Sequence, residues 1–270
     1  MSAPKTTKIN CIYCKACSLI PGDYKADYHI APYALGERLL AGSPGLEHVL
    51  PKGIVCDKCN NYFGTNMEIA IIGHPFIEQH RAFLGLKGRG KTQPEYKDDN
   101  VKIQRSAEGR LEIEGDYEND ANGNLFVPLP DPNKVDHLTV SRSIYKMAIE
   151  YLISIWIKIF SKTVAVNALD RSPLKSVVRY IRCPRNKTIL PYGVSPTNNI
   201  VPEFTIEGKN ISNDEIPKKQ EESIIVIIGL VGARFTCAIP YNKENYLAFL
   251  RENDSGIMKA MYGSRHTFGM

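Results

Sequence analysis

Cys56-Asp57-Lys58-Cys59-Asn60 is the stretch on which the reading of this 270-residue chain turns, taken together with Cys11-Ile12-Tyr13-Cys14 and with His29-Ile30-Ala31-Pro32 between them. The two Cys-x-x-Cys pairs supply four thiolates, the donor set of a closed tetrahedral zinc site whose role is structural. Such a site would clamp the segment that lies between them. Cys11, Cys14, Cys56 and Cys59 are the expected ligands, with Cys17 in place of Cys11 as the alternative, because Cys14-Lys15-Ala16-Cys17 has the same spacing. Seven cysteines is an odd number, and in a reducing compartment they do not read as a disulfide framework. Cys183 and Cys237 are expected to be small buried hydrophobes.

Length and composition set the frame around this clasp. A chain of 270 residues with 43% apolar content suggests a small N-terminal module and one larger domain with its own core. The apolar run from Ile144 to Phe160 is interrupted by Lys146, Glu150 and Lys158, too short and too charged to span a bilayer. The first residues lack the apolar core of a signal peptide, so a cytoplasmic protein without membrane contact is expected. The formal charge of +5 is unevenly spread. From Arg142 to Lys187 ten basic residues stand against Glu150 and Asp170, whereas acidic residues prevail from Glu95 to Asp136. A segregated basic region suits a phosphate-backbone binder, although a solvated helix face has the same composition.

Local patterning divides the chain further. The apolar positions between Asn66 and Leu84 predict a helix bent or broken at Pro75, followed by a basic loop from Gly85 to Lys91. Val101–Gln104 and Leu111–Glu114 alternate as strands do, Asn122-Gly123-Asn124 is a turn signal, and Pro128 to Pro132 reads as a linker. Ile144, Met147, Ala148, Tyr151, Leu152, Ile155 and Ile159 predict an apolar helix, capped by Thr139 or Ser141, at the centre of the second domain. A further helix is predicted from Pro173 towards Arg182, with Lys175, Arg179 and Arg182 along one side. Ser223–Leu230 and Arg234–Ile239 predict adjacent buried strands, and Glu244–Glu252 a short helix.

The N-terminal motifs resemble the HNH endonucleases, in the branch with a four-cysteine zinc site. The resemblance rests on Cys11, Cys14, His29, Pro32, Leu35, Gly36, Val55, Cys56, Cys59, Asn60, Phe63 and Gly64, with Glu68 soon after, and covers about the first quarter of the chain. It implies an α+β protein: a zinc-stapled ββα-metal module over residues 1–94, and a larger mixed α/β domain of unassigned role over 95–270. It also implies that His29 is the general base activating water and that Asn60 helps hold a catalytic Mg²⁺ or Mn²⁺. A neutral imidazole and one hard cation are suited to those tasks. His48, in Glu47-His48-Val49-Leu50-Pro51, is the competing base. Tyr28 stands where the family has an acidic residue, which leaves Asp27 or Glu47 as the acidic metal ligand. His74, His80, His137 and His266 are expected to be structural or surface residues.

Arg81, Lys87, Arg89 and Lys91 follow the module and are expected to contact phosphates, with little dependence on base sequence. DNA is the substrate the resemblance implies, RNA remaining open beside it. Three expectations follow. The leading one is a metal-dependent nuclease of restriction or anti-phage defence, either as a homo-oligomer or with a defence-system partner. The second is a zinc-containing nucleic-acid-binding or scaffold protein without catalysis. The third is a sequence-specific mobile-element nuclease.

Overall fold

The computed structural model describes residues 11–15, 28–32, 35, 48–87, 92–121, 125–128, 131, 134–170, 174–183, 189–198, 200–207, 224–239 and 265–268. A short antiparallel ribbon comes first, β1 (Tyr28–His29) against β2 (Val49–Leu50). Three helices follow: α1 (Asp57–Asn66), α2 (Glu68–Ile72) and α3 (Pro75–Leu84). Next come β3 (Glu95–Lys97), β4 (Val101–Arg105) and β5 (Leu111–Gly115), an antiparallel sheet in that order. β6 (Glu118–Asn119) and β7 (Leu125–Pro128) belong to a second small sheet. The long helix α4 (His137–Ile159) is followed by α5 (Lys162–Ala168) and α6 (Leu174–Arg182). Strands β8 (Tyr192–Pro196), β9 (Glu203–Glu207), β10 (Ile224–Leu230) and β11 (Ala233–Ile239) make an antiparallel sheet ordered β8-β11-β10-β9, and β12 (Arg265–Phe268) pairs with β7. The fold is mixed α/β.

The helical segment between Asn66 and Leu84 is broken at Pro75, one of the two outcomes expected: α2 ends at Ile72 and Pro75 opens α3 at its first position. Proline has no N–H to lose there, and its fixed φ suits the first turn. At the other end Gly85, at φ 70°, lets the Leu86 N–H reach back to the Arg81 carbonyl at 2.9 Å. Helix α1 has only Cys59, Tyr62 and Phe63 at helical spacing, too short a pattern to read as a helix from periodicity.

Helix α4 begins earlier than Thr139 or Ser141. Its cap is Asp136, whose carboxylate accepts from the Thr139 N–H at 3.1 Å and the Thr139 hydroxyl at 2.6 Å. The Ser141 hydroxyl instead donates to the Leu190 carbonyl. Every residue from Val140 to Glu150 is buried, so the helix has no solvent face over that span. It touches β2 and α2 as well as α5, α6, β10 and β11. One hydrophobic cluster therefore runs from Cys11 through α4 to Ile239. A smaller core, including Phe83, Tyr96, Ile103 and Val127, lies under the β3–β5 sheet.

The predicted strand pair near the C-terminus is present as β10 and β11, in register from Ile224↔Ile239 to Leu230↔Ala233. Their turn is Val231-Gly232, with Gly232 at φ 74°. A Cβ on Gly232 would meet the His80 Cβ at 2.4 Å and the Phe76 carbonyl oxygen at 2.7 Å, so this turn is seated directly on α3. Pro128 is the last residue of β7, and most of the stretch read as a linker, 129–130 and 132, lies outside the described residues. The turn at 122–124 and the helix at 244–252 lie outside the described residues.

His74 caps α3 and is 1% exposed, its ring set against Phe76 and Phe235. Burial, aided by His137, holds its pKa down at about 3, and burial likewise holds His80 at about 4. A depressed histidine pKa gives stability that is complete above the ordinary value near 6.5 and is lost as pH falls below it. On going from about pH 7 to about pH 5, a His74→Phe variant should lose about 2 kcal/mol less stability than the wild type, read from urea midpoints. Equal losses would show that His74 is not the titrating group.

Candidate metal centre

Cys11, Cys14, Cys56 and Cys59 come together: their four sulfurs lie within 4.8 Å of one another. Two local conformations place them. In the first pair, Lys15 takes a left-handed φ of 52° and its N–H returns to the Cys11 carbonyl at 3.1 Å, curling the Cys-x-x-Cys into a tight turn. In the second, Cys56 is the extended residue preceding α1 and Cys59 sits in the first turn of that helix. The partial positive charge at a helix N-terminus favours thiolates at both positions. The Ile12 N–H donates to the Ile54 carbonyl at 3.0 Å, and the Cys56 N–H donates to the Cys11 sulfur at 3.4 Å, tying the two turns together. Cys14 and Cys56 sulfurs are 3.7 Å apart. A hydrogen bond from Cys59 and backbone N–H groups hold the Cys11 thiol down at about 4 against the effect of burial, while its bond to Cys11 and burial push Cys59 up. The cluster is able to chelate one metal ion.

Tyr13, between two of these cysteines, links the clasp to the long helix. Its hydroxyl donates to Glu150 Oε1 at 2.8 Å, and its ring stands edge-on to Phe63 with centroids 4.6 Å apart. Glu150 is fully buried and faces Lys146, 1% exposed, at 3.2 Å. The Lys146 ammonium also meets Glu68 at 3.6 Å and lies over the rings of Tyr28 and Phe63. Burial raises Glu150 to about 7 in spite of Lys146, and burial together with the Glu150 charge pushes both Tyr13 and Tyr28 upward. Tyr28, at the position where the resembled family carries an acid, is thus a buried partner of Lys146. In the sequence, Lys146 and Glu150 show only as breaks in an apolar run. Their four-residue spacing, which puts opposite charges on one helix face, was the available signal.

The two candidate histidines do not share a face. Register pairs Tyr28 with Leu50 and His29 with Val49, and side chains alternate along a strand. His29 therefore lies on the Val49 side, while His48, one residue before Val49, falls on the opposite side. The His48 ring packs 4.6 Å from Phe204 and 6.3 Å from Tyr151. Asn60 sits half-buried in the first turn of α1, its N–H donating to the Cys56 carbonyl at 2.9 Å. Asp27, Glu47, Cys17, Arg89 and Lys91 lie outside the described residues. Arg81 is half-buried and donates to the Leu86 carbonyl at 3.2 Å, closing α3, and Lys87 is exposed. Lys175, Arg179 and Arg182 are exposed along one side of α6, as their spacing suggested.

No family model matches the sequence, and no curated protein or solved structure matches it either.

Two outcomes follow from this geometry. The chain purified under reducing conditions should carry one transition-metal ion, and Cys56→Ser or Cys59→Ser should lose it together with thermal stability, while Cys183→Ser keeps both. Metal retained in full by either ligand variant would contradict the cluster. Separately, Lys146→Met should destabilise the fold by about 3 kcal/mol or more, because it strands a buried carboxylate, and the double change Lys146→Met with Glu150→Leu should recover most of the loss. Chemical denaturation of the metal-loaded proteins reads both.

Proposed function

We propose that this chain is a zinc-stapled nucleic-acid-binding protein. The observation that carries the reading is the four-cysteine cluster set beside exposed cations, Lys58 on α1 and Lys175, Arg179 and Arg182 on α6. Zinc is the ion that suits an all-thiolate set. A tetrahedron with metal–sulfur bonds of about 2.3 Å has edges of about 3.8 Å, near the 3.7 Å between Cys14 and Cys56. Four thiolates also serve iron–sulfur centres, and it is the short sulfur–sulfur separation that favours a single ion here. The role of the zinc is then structural: it fixes the start of α1 against the Cys11–Cys14 turn, and the cations beside it offset phosphate charge.

A second reading, an HNH-type nuclease, is favoured by one observation beyond the cysteines. A short antiparallel ribbon bearing His29 precedes α1, which begins at the second cysteine pair and bears Asn60; this is the hairpin-then-helix order the resemblance implies. On that reading His29 would take the proton from water, and Asn60 would help to hold Mg²⁺ or Mn²⁺.

One pair of assays separates the readings. Fluorescence anisotropy with labelled DNA should show binding that weakens steeply between about 50 and about 200 mM salt, as counterion release requires. Absence of binding at low salt would sink the proposal. Supercoiled plasmid incubated with Mn²⁺ should stay intact on the binding reading. EDTA-sensitive nicking lost in His29→Ala but kept in His48→Ala would establish the nuclease instead.

A further inference from the structure

Between the cysteine clasp and α6 lies a groove of about 760 Å³ whose two walls differ in origin and agree in charge. Helix α1 contributes Lys58 and Tyr62, and α6 contributes Lys175, Arg179 and Arg182. Lys15, at the rim, is neutralised by Asp170 at 2.8 Å. Among the described residues the other four cations have no carboxylate within ion-pair distance. Ile12, Phe63, Leu169 and Val178 are buried behind these side chains, so Tyr62 is the aromatic residue that the groove exposes. Tyr62 is half-buried there, its ring held edge-on by Phe63 at 5.6 Å.

We infer that this groove takes a nucleotide unit of a single strand, with phosphate on the α6 cations and base on the ring of Tyr62. The inference deepens the nucleic-acid reading above and rests on it. Cations alone would suit any polyanion. Cations around a half-exposed aromatic ring suit a ligand that is charged at one end and flat at the other. A duplex turns its bases inward and offers phosphates outward, so it would leave the ring unused, whereas an unpaired nucleotide satisfies both. The volume is that of a site enclosing one molecule of nucleotide size, too small to receive a double helix. Arg179 and Arg182 lie three residues apart on one helix face, close enough to share one phosphate group.

The test uses the full chain loaded with metal. Binding of a labelled eight-residue oligothymidylate, of a duplex of matched charge, and of ATP is compared between wild type, Arg179→Glu with Arg182→Glu, Tyr62→Leu, and Lys97→Glu as a distant surface control. The double charge reversal should weaken oligothymidylate binding by tenfold or more, and Tyr62→Leu by several-fold, with metal content and melting temperature retained. Lys97→Glu should leave it unchanged. Oligothymidylate binding unaffected by the charge reversal, while metal and melting temperature hold, would overturn the groove assignment alone. Tight ATP binding without any strand binding would overturn the strand in favour of a free nucleotide. Failure of strand and duplex together would overturn the broader nucleic-acid reading instead.

Discussion

An ammonium group taken out of water must be met by charge or by hydrogen-bond acceptors, and much of this structure is arranged around that requirement at Lys146. Its partners come from several parts of the chain: Glu150 one turn along α4, Glu68 from α2, and the ring faces of Tyr28 and Phe63. Glu150 is in turn held by the hydroxyl of Tyr13. The ribbon, the first cysteine turn, α1, α2 and the long helix thus converge on one buried pair. A buried ion pair is weak evidence of net stability, but it is selective, because each alternative packing leaves a charge unanswered. Through Tyr13 and Phe63 the pair joins α4 to the clasp.

The clasp itself was open to reading because its logic is local. Cysteines at short fixed spacing announce a metal site whatever surrounds them, and the β-branched runs of β10 and β11 announce buried strands. Lys175, Arg179 and Arg182 mark one helix face by arithmetic alone. Other features needed three dimensions. Asp136 caps α4 by a local contact with Thr139 that a pattern begun at the apolar positions overlooks, while the Ser141 hydroxyl is taken by the distant Leu190 carbonyl. Pro75 can end a helix or begin one, and only the turn at Gly73-His74 decides. Tyr28 reads as a missing acid until Lys146 is found beneath its ring.

The two histidines show how register decides chemistry. One residue of offset on a two-residue ribbon sends His48 into contact with Phe204 and leaves His29 on the other face. Motif spacing treats the two as near equivalents. Strand alternation does not, and it sets the His48 ring against Phe204.

The turn at Gly232 has an implication for how the chain can change. Hairpin tips are usually the places where a protein accepts added residues, since nothing lies beyond them. Here the tip rests on the backbone of α3, nearer to its neighbours than any side chain would allow. It behaves as an interior seam, so lengthening of this chain over time, or by design, belongs at other junctions.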